Sequence, residues 1–210
     1  MRMPKGTPAP RRQPKTRHAA ITVDAIVESV ERILEQDGPT ALTTNRIADV
    51  AGVSIGTLYQ YFPNKEALVG ALQDKYAEDT LSRVRGALVE SATLPINLVI
   101  ARVAEAVLCA QRAQRPIHRW LIDWRTAAGC QERYRRALDE QVGLVAEFLA
   151  QRRDVTITDP RAAAFVLVHA IEGIIEAVTE RGPGVDMIAV AMQAIRLVTV
   201  FLAPPSCQEV

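Results

Sequence analysis

Apolar residues recur at three- and four-residue spacing along almost the whole chain, which is the periodicity of amphipathic α-helices. Convincing alternation of apolar and polar residues, the signature of half-buried strands, is missing. Thr22 is placed to cap a first helix whose apolar stripe includes Ile26 and Val30. Gly38-Pro39 ends that helix. The pattern predicts an all-α fold whose ordered part begins near residue 21.

Three more helices are predicted before residue 91, two of them short and the third long. Their expected bounds are 45–51 with Thr44 as N-cap, 55–61 with Ser54 as N-cap, and 65–90 with Asn64 as N-cap. Further helices are expected at 95–111, 116–124, 131–153, 160–181 and 186–202. The chain should therefore contain about nine helices, with a clear start at Asp159-Pro160, where a capping side chain precedes proline.

The turn at Gly52-Val53-Ser54 joins two short helices in the proportions of a helix-turn-helix, whose second helix lies in the DNA major groove. Leu58 and Phe62 fall on the inner side of the third helix. Its outer side carries Ile55, Gly56, Thr57, Tyr59, Gln60 and Tyr61. Such a surface is unusual without a partner, although a corner of an ordinary helical bundle can have the same turn.

The charge is unevenly placed along a chain whose net charge is only +1. Residues 1–65 contain nine Lys/Arg and six Asp/Glu, a local +3, whereas residues 66–210 contain sixteen and eighteen, a local −2. The first eighteen residues have no acid and carry Arg2, Lys5, Arg11, Arg12, Lys15 and Arg17. We expect residues 1–20 to be a disordered basic arm that either contacts a polyanion or is simply solvated.

Residues 42–68, LTTNRIADVAGVSIGTLYQYFPNKEAL, resemble the DNA-binding signature of the tetracycline repressor (TetR) family. The pattern Ala-Gly-Val-Ser-x-Gly-Thr-Leu-Tyr-x-Tyr-Phe-x-x-Lys-x-x-Leu is matched without a gap. The resemblance is close over residues 21–75; beyond them only length, helix count and a terminal pair of apolar helices agree. It implies a dimeric repressor with a helix-turn-helix domain at 21–66 that binds a palindromic operator. A ligand-binding and dimerisation domain at 67–210 would bind an inducer that lowers DNA affinity.

The resemblance also implies roles for individual residues. Phosphate contacts would come from Thr44, Tyr59, Tyr61 and Lys65, and base edges would be approached by Asn45, Ile55, Gly56 and Thr57. Helix starts at Thr44, Ser54 and Lys65 suit phosphate, because free N–H groups and the helix dipole favour anions there. Arg46 and Gln60 complete the predicted DNA-contact set. The apolar Ile55 favours a thymine methyl contact, so that specificity would depend more on Asn45, Arg46 and DNA shape.

The last two predicted helices are apolar on more than one face, which favours burial on both sides in a two-fold four-helix dimer interface. For a small, largely apolar effector we consider an aromatic set in the middle helices. The candidate ligand residues are Cys109, His118, Trp120, Trp124, Tyr134, Phe148, Phe165 and His169. Ordinary core packing is the alternative at each position, and nothing in the sequence identifies the ligand.

Several classes of protein are disfavoured. The chain has no G-x-S-x-G, Walker, G-x-G-x-x-G or H-E-x-x-H motif and no C-x-x-C pair, so we expect no catalysis, cofactor or metal. The best apolar run, 95–110, is interrupted by Arg102 and Glu105, and the basic N-terminus lacks an apolar signal segment. The expected location is therefore the cytoplasm, without a membrane partner.

Two other functions stay open. A nucleoid-type or adaptor protein would keep the helix-turn-helix, lack an inducer and answer to a protein partner. A helical small-molecule binder would have lost DNA binding altogether, which the intact Thr44, Tyr59, Tyr61 and Lys65 disfavour.

Overall fold

The computed structural model describes residues 17–127, 131–181 and 184–202, except for the side chains at 18, 112–116, 118, 119 and 122–127. Within this part the chain forms eight α-helices and one short 3-10 turn. The helices are α1 (Arg17–Gln36), α2 (Thr44–Ala51), α3 (Ile55–Tyr61), α4 (Lys65–Glu90), α5 (Ile96–Ala127), α6 (Gln131–Ala150), α7 (Pro160–Arg181) and α8 (Met187–Leu202), with the 3-10 turn at Pro39–Ala41. The all-α prediction is confirmed.

Helix α1 begins at Arg17, five residues before Thr22, the predicted N-cap. Thr22 lies inside the helix, so its assignment as the N-cap was wrong, and residues 17–20, assigned to the disordered arm, are helical. The physical reason is composition: the last helix-breaking proline is Pro14, and the alanines at 19 and 20 are strong helix formers. Residues 1–16 of the predicted arm lie outside the described residues.

The helix-turn-helix is bounded by side-chain and glycine caps. The cap of α2 is Thr43, which accepts a hydrogen bond from Arg46 N at 3.2 Å, so the assignment of Thr44 was wrong by one residue. Gly52 ends α2 in the left-handed region at φ 68°, as the sequence predicted. Ser54 and Asn64 cap α3 and α4, accepting from Thr57 N at 3.0 Å and from Ala67 N at 2.8 Å.

Helix α5 is one helix of 32 residues where two were predicted, at 95–111 and 116–124. It continues through Pro116. Proline fixes a φ that a helix tolerates and removes one backbone hydrogen bond, and here burial of Ile117 and Leu121 offsets that loss. The sequence pattern treated the proline as a helix start, which accounts for the difference between eight helices in the described residues and the nine expected.

The chain divides into two compact units. The first comprises Met1–Ala77 and Gln114–Arg135, and the second comprises Glu78–Ala113 and Arg136–Val210. This division does not coincide with the predicted boundary between residues 66 and 67, because part of α4 and the second half of α5 belong with the helix-turn-helix. The buried core of the first unit includes Ile26, Ile33, Ile47, Leu58, Phe62, Leu68, Leu72, Ile117 and Leu121.

In the second unit, Arg152 ties the segment after α4 to the segment after α6. Its guanidinium forms a fork with Asp154, at 2.7 and 2.5 Å, and donates to the carbonyls of Ala92 at 2.8 Å and Leu94 at 2.7 Å. The Asp154 carboxylate also accepts from Ile96 N at 3.0 Å, at the start of α5. The hydrogen bond from Arg152 lowers the pKa of Asp154 below its ordinary value.

Helix α7 is long and apolar enough to cross a membrane, by length and composition alone. The choice of 95–110 as the best apolar run was therefore wrong, because Pro160–Arg181 meets the length and hydropathy criterion. Core helices of soluble proteins pass the same test. Ala163 and Ala164 of α7 are buried in the second unit, whereas Phe165 and Val166 are about half exposed, at 53% and 51%.

Candidate nucleic-acid interface

Helix α3 presents a defined outer face because its inner face is anchored in the core of the first unit. Leu58 and Phe62 are completely buried. On the opposite side Ile55 is 40% exposed and Tyr59 is 43% exposed. Gly56 lies beside Ile55 and is also exposed, so that the first turn of α3 has a low profile where a partner surface can come close.

The start of α2 is joined to α3 by a hydrogen bond between side chains. Thr44 Oγ1 lies 3.3 Å from the Tyr59 hydroxyl. Since Thr43 caps the helix, the hydroxyl of Thr44 is available for this contact. Two of the four predicted phosphate ligands thus lie within hydrogen-bond distance of each other, Thr44 half-buried and Tyr59 exposed.

Ser54 and Thr57 form a second local pair at the start of α3. The Ser54 hydroxyl accepts from Thr57 N, and the two hydroxyl oxygens are 2.8 Å apart. A side-chain oxygen that caps a helix occupies one of the free N–H groups that would otherwise bind an anion. Ser54 therefore positions the first turn of α3, and its hydroxyl also forms a hydrogen bond with the Thr57 hydroxyl.

Arg46 and Asn45 lie on the exposed side of α2, where they were predicted. The Arg46 guanidinium Nη2 lies 3.2 Å from Asp37 Oδ2, and the two side chains are 53% and 37% exposed. Asp37 directly follows α1, and sequence reasoning did not single it out. In the sequence, Asp37 stands out only as an acidic residue directly before Gly38-Pro39. Because this composition is common in turns, it gives no indication of a functional role.

Tyr61 and Lys65 are half-buried, unlike the exposed Tyr59. Tyr61 packs against the core of the first unit, so its placement on the fully outer face of α3 was wrong. It follows Leu58 by three residues, and side chains with that spacing lie on adjacent parts of the helix surface, so its ring covers the edge of the core. Lys65 is the first residue of α4. Gln60, by contrast, is exposed as predicted.

Two ties that the sequence did not reveal hold α1 in place. Ser29 is 2% exposed, and its hydroxyl lies 2.7 Å from the Ile26 carbonyl and 3.3 Å from the Ile47 carbonyl of α2. A lone serine in an apolar stripe gives little sequence signal, because serine is common on either side of a helix. Its burial depends on the neighbouring helix.

The second tie joins α1 to α4. The Glu31 carboxylate accepts from Lys75 Nζ at 2.9 Å and from the Tyr76 hydroxyl at 2.6 Å. Burial by itself raises the pKa of Glu31, but the hydrogen bonds from Lys75 and Tyr76 outweigh it and hold the pKa below its ordinary value. The tie fixes the α4 segment that follows the helix-turn-helix relative to α1.

The described members of the predicted ligand set are divided between the two units, with Trp120 and Tyr134 in the first and Cys109, Phe148, Phe165 and His169 in the second. Trp120 packs against the core of the first unit, and Phe148 packs against the core of the second. Tyr134 is half-buried, and Cys109 is exposed. Phe165 and His169 stack on each other on α7 with ring centroids 4.0 Å apart. The side chains of His118 and Trp124 lie outside the described residues.

A polar group lies between α4 and α5 within the first unit. Gln73 Nε2 donates to the Leu121 carbonyl at 3.3 Å. Among the described residues, Gln73 Oε1 is a buried side-chain oxygen without a hydrogen-bond partner. Nearby on α4, Asp74 forms an ion pair with Arg133, the side chain of which passes 3.2 Å from the position that a Cβ at Gly70 would occupy. This glycine allows the arginine to lie close to the helix.

Comparison with known proteins agrees with this geometry. Residues 26–72 match the family model described as bacterial regulatory proteins, tetR family. Residues 95–202, half of the chain, match the model described as tetracyclin repressor-like, C-terminal domain. The first match covers α2 and α3 with most of α1 and the start of α4.

Relatives are similar over shorter stretches. An uncharacterized HTH-type transcriptional regulator of Mycobacterium tuberculosis, Rv1255c, is 40% identical over 52 residues, which are 25% of this chain and 26% of that protein. A regulator of Staphylococcus aureus, SAR0097, is 31% identical over 75 residues, 34% of this chain and 38% of that one. The chain thus spans about a quarter of the length of the first relative.

Solved structures share the fold over nearly the whole chain. A TetR-family transcriptional regulator from Streptomyces coelicolor superimposes with a TM-score of 0.63 at 23% identity, covering 86% of this chain and 96% of that one. NalD, the secondary repressor of the MexAB-OprM multidrug efflux pump in Pseudomonas aeruginosa, gives 0.62 at 20% identity, covering 90% and 98%. With both family models matched, this chain belongs to the tetracycline repressor family of bacterial regulatory proteins, DNA-binding transcription factors that are not enzymes.

Proposed function

We propose that this protein is a homodimeric repressor that binds a palindromic operator in the cytoplasm through α2 and α3, and that a small effector releases it. The observation that carries the proposal is the exposed surface formed by Ile55, Gly56 and Tyr59, which the Thr44–Tyr59 contact extends to the start of α2. A helix of these dimensions fits the major groove, where Ile55 would meet a thymine methyl.

The dimer is supported by the apolar surface of the last two helices. On α8, Ile188, Met192 and Val200 share one face at multiples of four residues, and they are 67%, 59% and 53% exposed. Leu197 of α8, at 57%, and Phe165 of α7 are exposed too, and so many exposed large apolar side chains on two neighbouring helices are typical of an interaction surface. A second copy of the same pair would cover it in an isologous interface.

The effector is proposed to be small and largely apolar, with a hydrogen-bond donor. The donor requirement comes from Gln73 Oε1, because a buried acceptor without a partner costs about 1–3 kcal/mol until a ligand or an ordered water satisfies it. Similar folds occur in a multidrug binding protein, EbrR, complexed with imidazole, and in a fatty acid degradation regulator, FadR, from Bacillus halodurans. Imidazole is small and carries an N–H donor.

The experiment that tests DNA binding is selection of bound fragments from random duplexes, followed by titration of the recovered sequence. Lys65→Ala should weaken binding about fivefold or more, since it removes a cation from the start of α4. Arg85→Ala is the matched control, because it removes an exposed cation from the same helix within the second unit. Equal effects of the two substitutions would contradict the assigned interface.

The effector is tested on the operator complex. A panel of small apolar compounds with hydroxyl or amine donors should contain members that release the DNA, and Gln73→Met should reduce that response while leaving operator affinity intact. If every compound leaves the complex unchanged and a purified protein partner releases it, the alternative of an adaptor without an inducer is favoured instead. Deletion of residues 1–16 should flatten the salt dependence of binding if the basic arm contacts phosphates.

A further inference from the structure

The ion pair between Asp37 and Arg46 places each charge at an unfavourable helix end. Asp37 follows the last residue of α1, where the helix dipole is negative, and Arg46 lies in the first turn of α2, where the dipole is positive. Helix electrostatics alone would favour the opposite arrangement. The pair is exposed on both sides, so it adds little to folding stability. Its presence therefore calls for another explanation than stability.

The backbone holds Asp37 where its carboxylate meets Arg46. Asp37 N and Gly38 N both donate to the Ile33 carbonyl, at 2.8 and 3.1 Å, which closes the last turn of α1. Gly38 then adopts φ 78°, a left-handed conformation that turns the chain toward α2. The carboxylate is thus fixed by a helix end, whereas Arg46 is a long side chain that can move between partners.

Arg46 is exposed in the first turn of α2 and belongs to the predicted DNA-contact set. A helical side chain points back toward the start of its own helix, so the Arg46 guanidinium is directed toward the N-terminal end of α2, where free N–H groups and the helix dipole favour a phosphate. While Asp37 is paired with Arg46, the carboxylate neutralises part of the positive charge and occupies one of the N–H donors that a phosphate would otherwise use. A carboxylate beside the phosphates also repels any DNA, whatever the sequence.

We infer that Asp37 is an electrostatic brake on DNA binding: it pairs with Arg46 in the free protein and competes with backbone phosphate for the same guanidinium. This inference rests on the proposed function and adds a residue that restrains sequence-independent affinity. Because phosphate contacts supply essentially all non-specific binding, a brake at one such contact keeps the protein from being retained on unrelated DNA.

The test uses the full chain and four variants: Asp37→Asn, Arg46→Gln, the double variant and Asp49→Asn. Asp49→Asn is the matched control. It also removes one negative charge from the exposed side of α2, but the ion pair of Arg46 is with Asp37 and not with Asp49. Affinity for the selected operator and for a scrambled duplex of equal length is measured over a series of KCl concentrations. Thermal unfolding checks that each variant is folded.

Asp37→Asn should raise affinity for the scrambled duplex about two- to fivefold, the range expected for one exposed ion pair, and for the operator by no more. Its plot of log affinity against log salt should steepen by up to about one unit. In the Arg46→Gln background the same substitution should have a much smaller effect, because the two residues act as a pair.

Three results would overturn the inference. One is unchanged or weaker binding by folded Asp37→Asn, and another is an equal gain from Asp49→Asn, which would indicate net charge alone. The third is an undiminished effect without Arg46. If the wild-type chain itself binds neither duplex, the proposed function fails before the variants are compared, so the two failures are distinguishable.

Discussion

Gly56 offers a sharp test of which surface approaches DNA, because the free protein has room for a larger residue there. A Cβ built on Gly56 would meet only Ser54 Oγ, at 3.7 Å, which is an ordinary van der Waals distance. Glycine within a helix is about 0.5–1 kcal/mol less favourable than alanine. Since Gly56 lies in the first turn of α3, Gly56→Ala should stabilise the free protein by at most that amount and raise its Tm by about 1–4 °C.

Binding to DNA should change in the opposite direction. If the first turn of α3 lies against the bases, the added methyl group must push the helix away from the groove, which disturbs contacts worth about 1–3 kcal/mol per base pair. We expect operator affinity to fall about tenfold in a fluorescence anisotropy titration. If Gly56→Ala is more stable but binds the operator less tightly, the loss of binding cannot be attributed to a loss of folding.

The matched control is Gly86→Ala in α4, where a Cβ would meet nothing within 4 Å. This variant should become more stable without any loss of DNA affinity. Unchanged operator affinity in folded Gly56→Ala would refute the reasoning, because it would mean that α3 does not bring this position against DNA.

Further substitutions test the other surfaces. Tyr59→Phe should weaken binding to all duplexes about tenfold by removing a hydroxyl from a phosphate, with little change in Tm because its contact with Thr44 is exposed; equal affinity of both proteins would contradict this. Leu197→Asp should give monomers in sedimentation, and a persistent dimer would exclude that interface. Glu31→Gln should cost stability at neutral pH. The Glu31 pKa is lowered on folding, so this contribution is present above about pH 4.3, the unfolded value, and is lost as pH falls through the folded pKa. Chemical denaturation between pH 7 and pH 3 should therefore show that the difference in the free energy of unfolding between the wild type and Glu31→Gln decreases as the pH falls. A constant difference would contradict this prediction.

The DNA-binding helices could be predicted closely because their determinants are local. Gly52 supplies the left-handed turn, and Ser54 supplies a capping oxygen three residues before the N–H it accepts from. These interactions span few residues, so the sequence carries them directly. Where two equivalent caps stand side by side, as Thr43 and Thr44 do, local chemistry does not distinguish them, and the start of α2 was misplaced by one residue.

The helices after α4 could not be predicted to the same degree. Aromatic residues one or two turns apart look alike whether they line a cavity or fill a core, and Trp120 packs against the core of the helix-turn-helix unit. Pro116 signals a helix start by its chemistry, yet the helix continues through it. In both cases the deciding contribution is burial against residues distant in the sequence.

By itself, the sequence determined the all-α class and the helix-turn-helix, since periodicity, caps and turns are properties of neighbouring residues. Only the tertiary structure decided that Asp37 meets Arg46, that Glu31 holds α4 to α1, and that α5 contributes to the core beside α3. These contacts join residues 9 to 50 or more positions apart, and their energies depend on packing that no local pattern encodes.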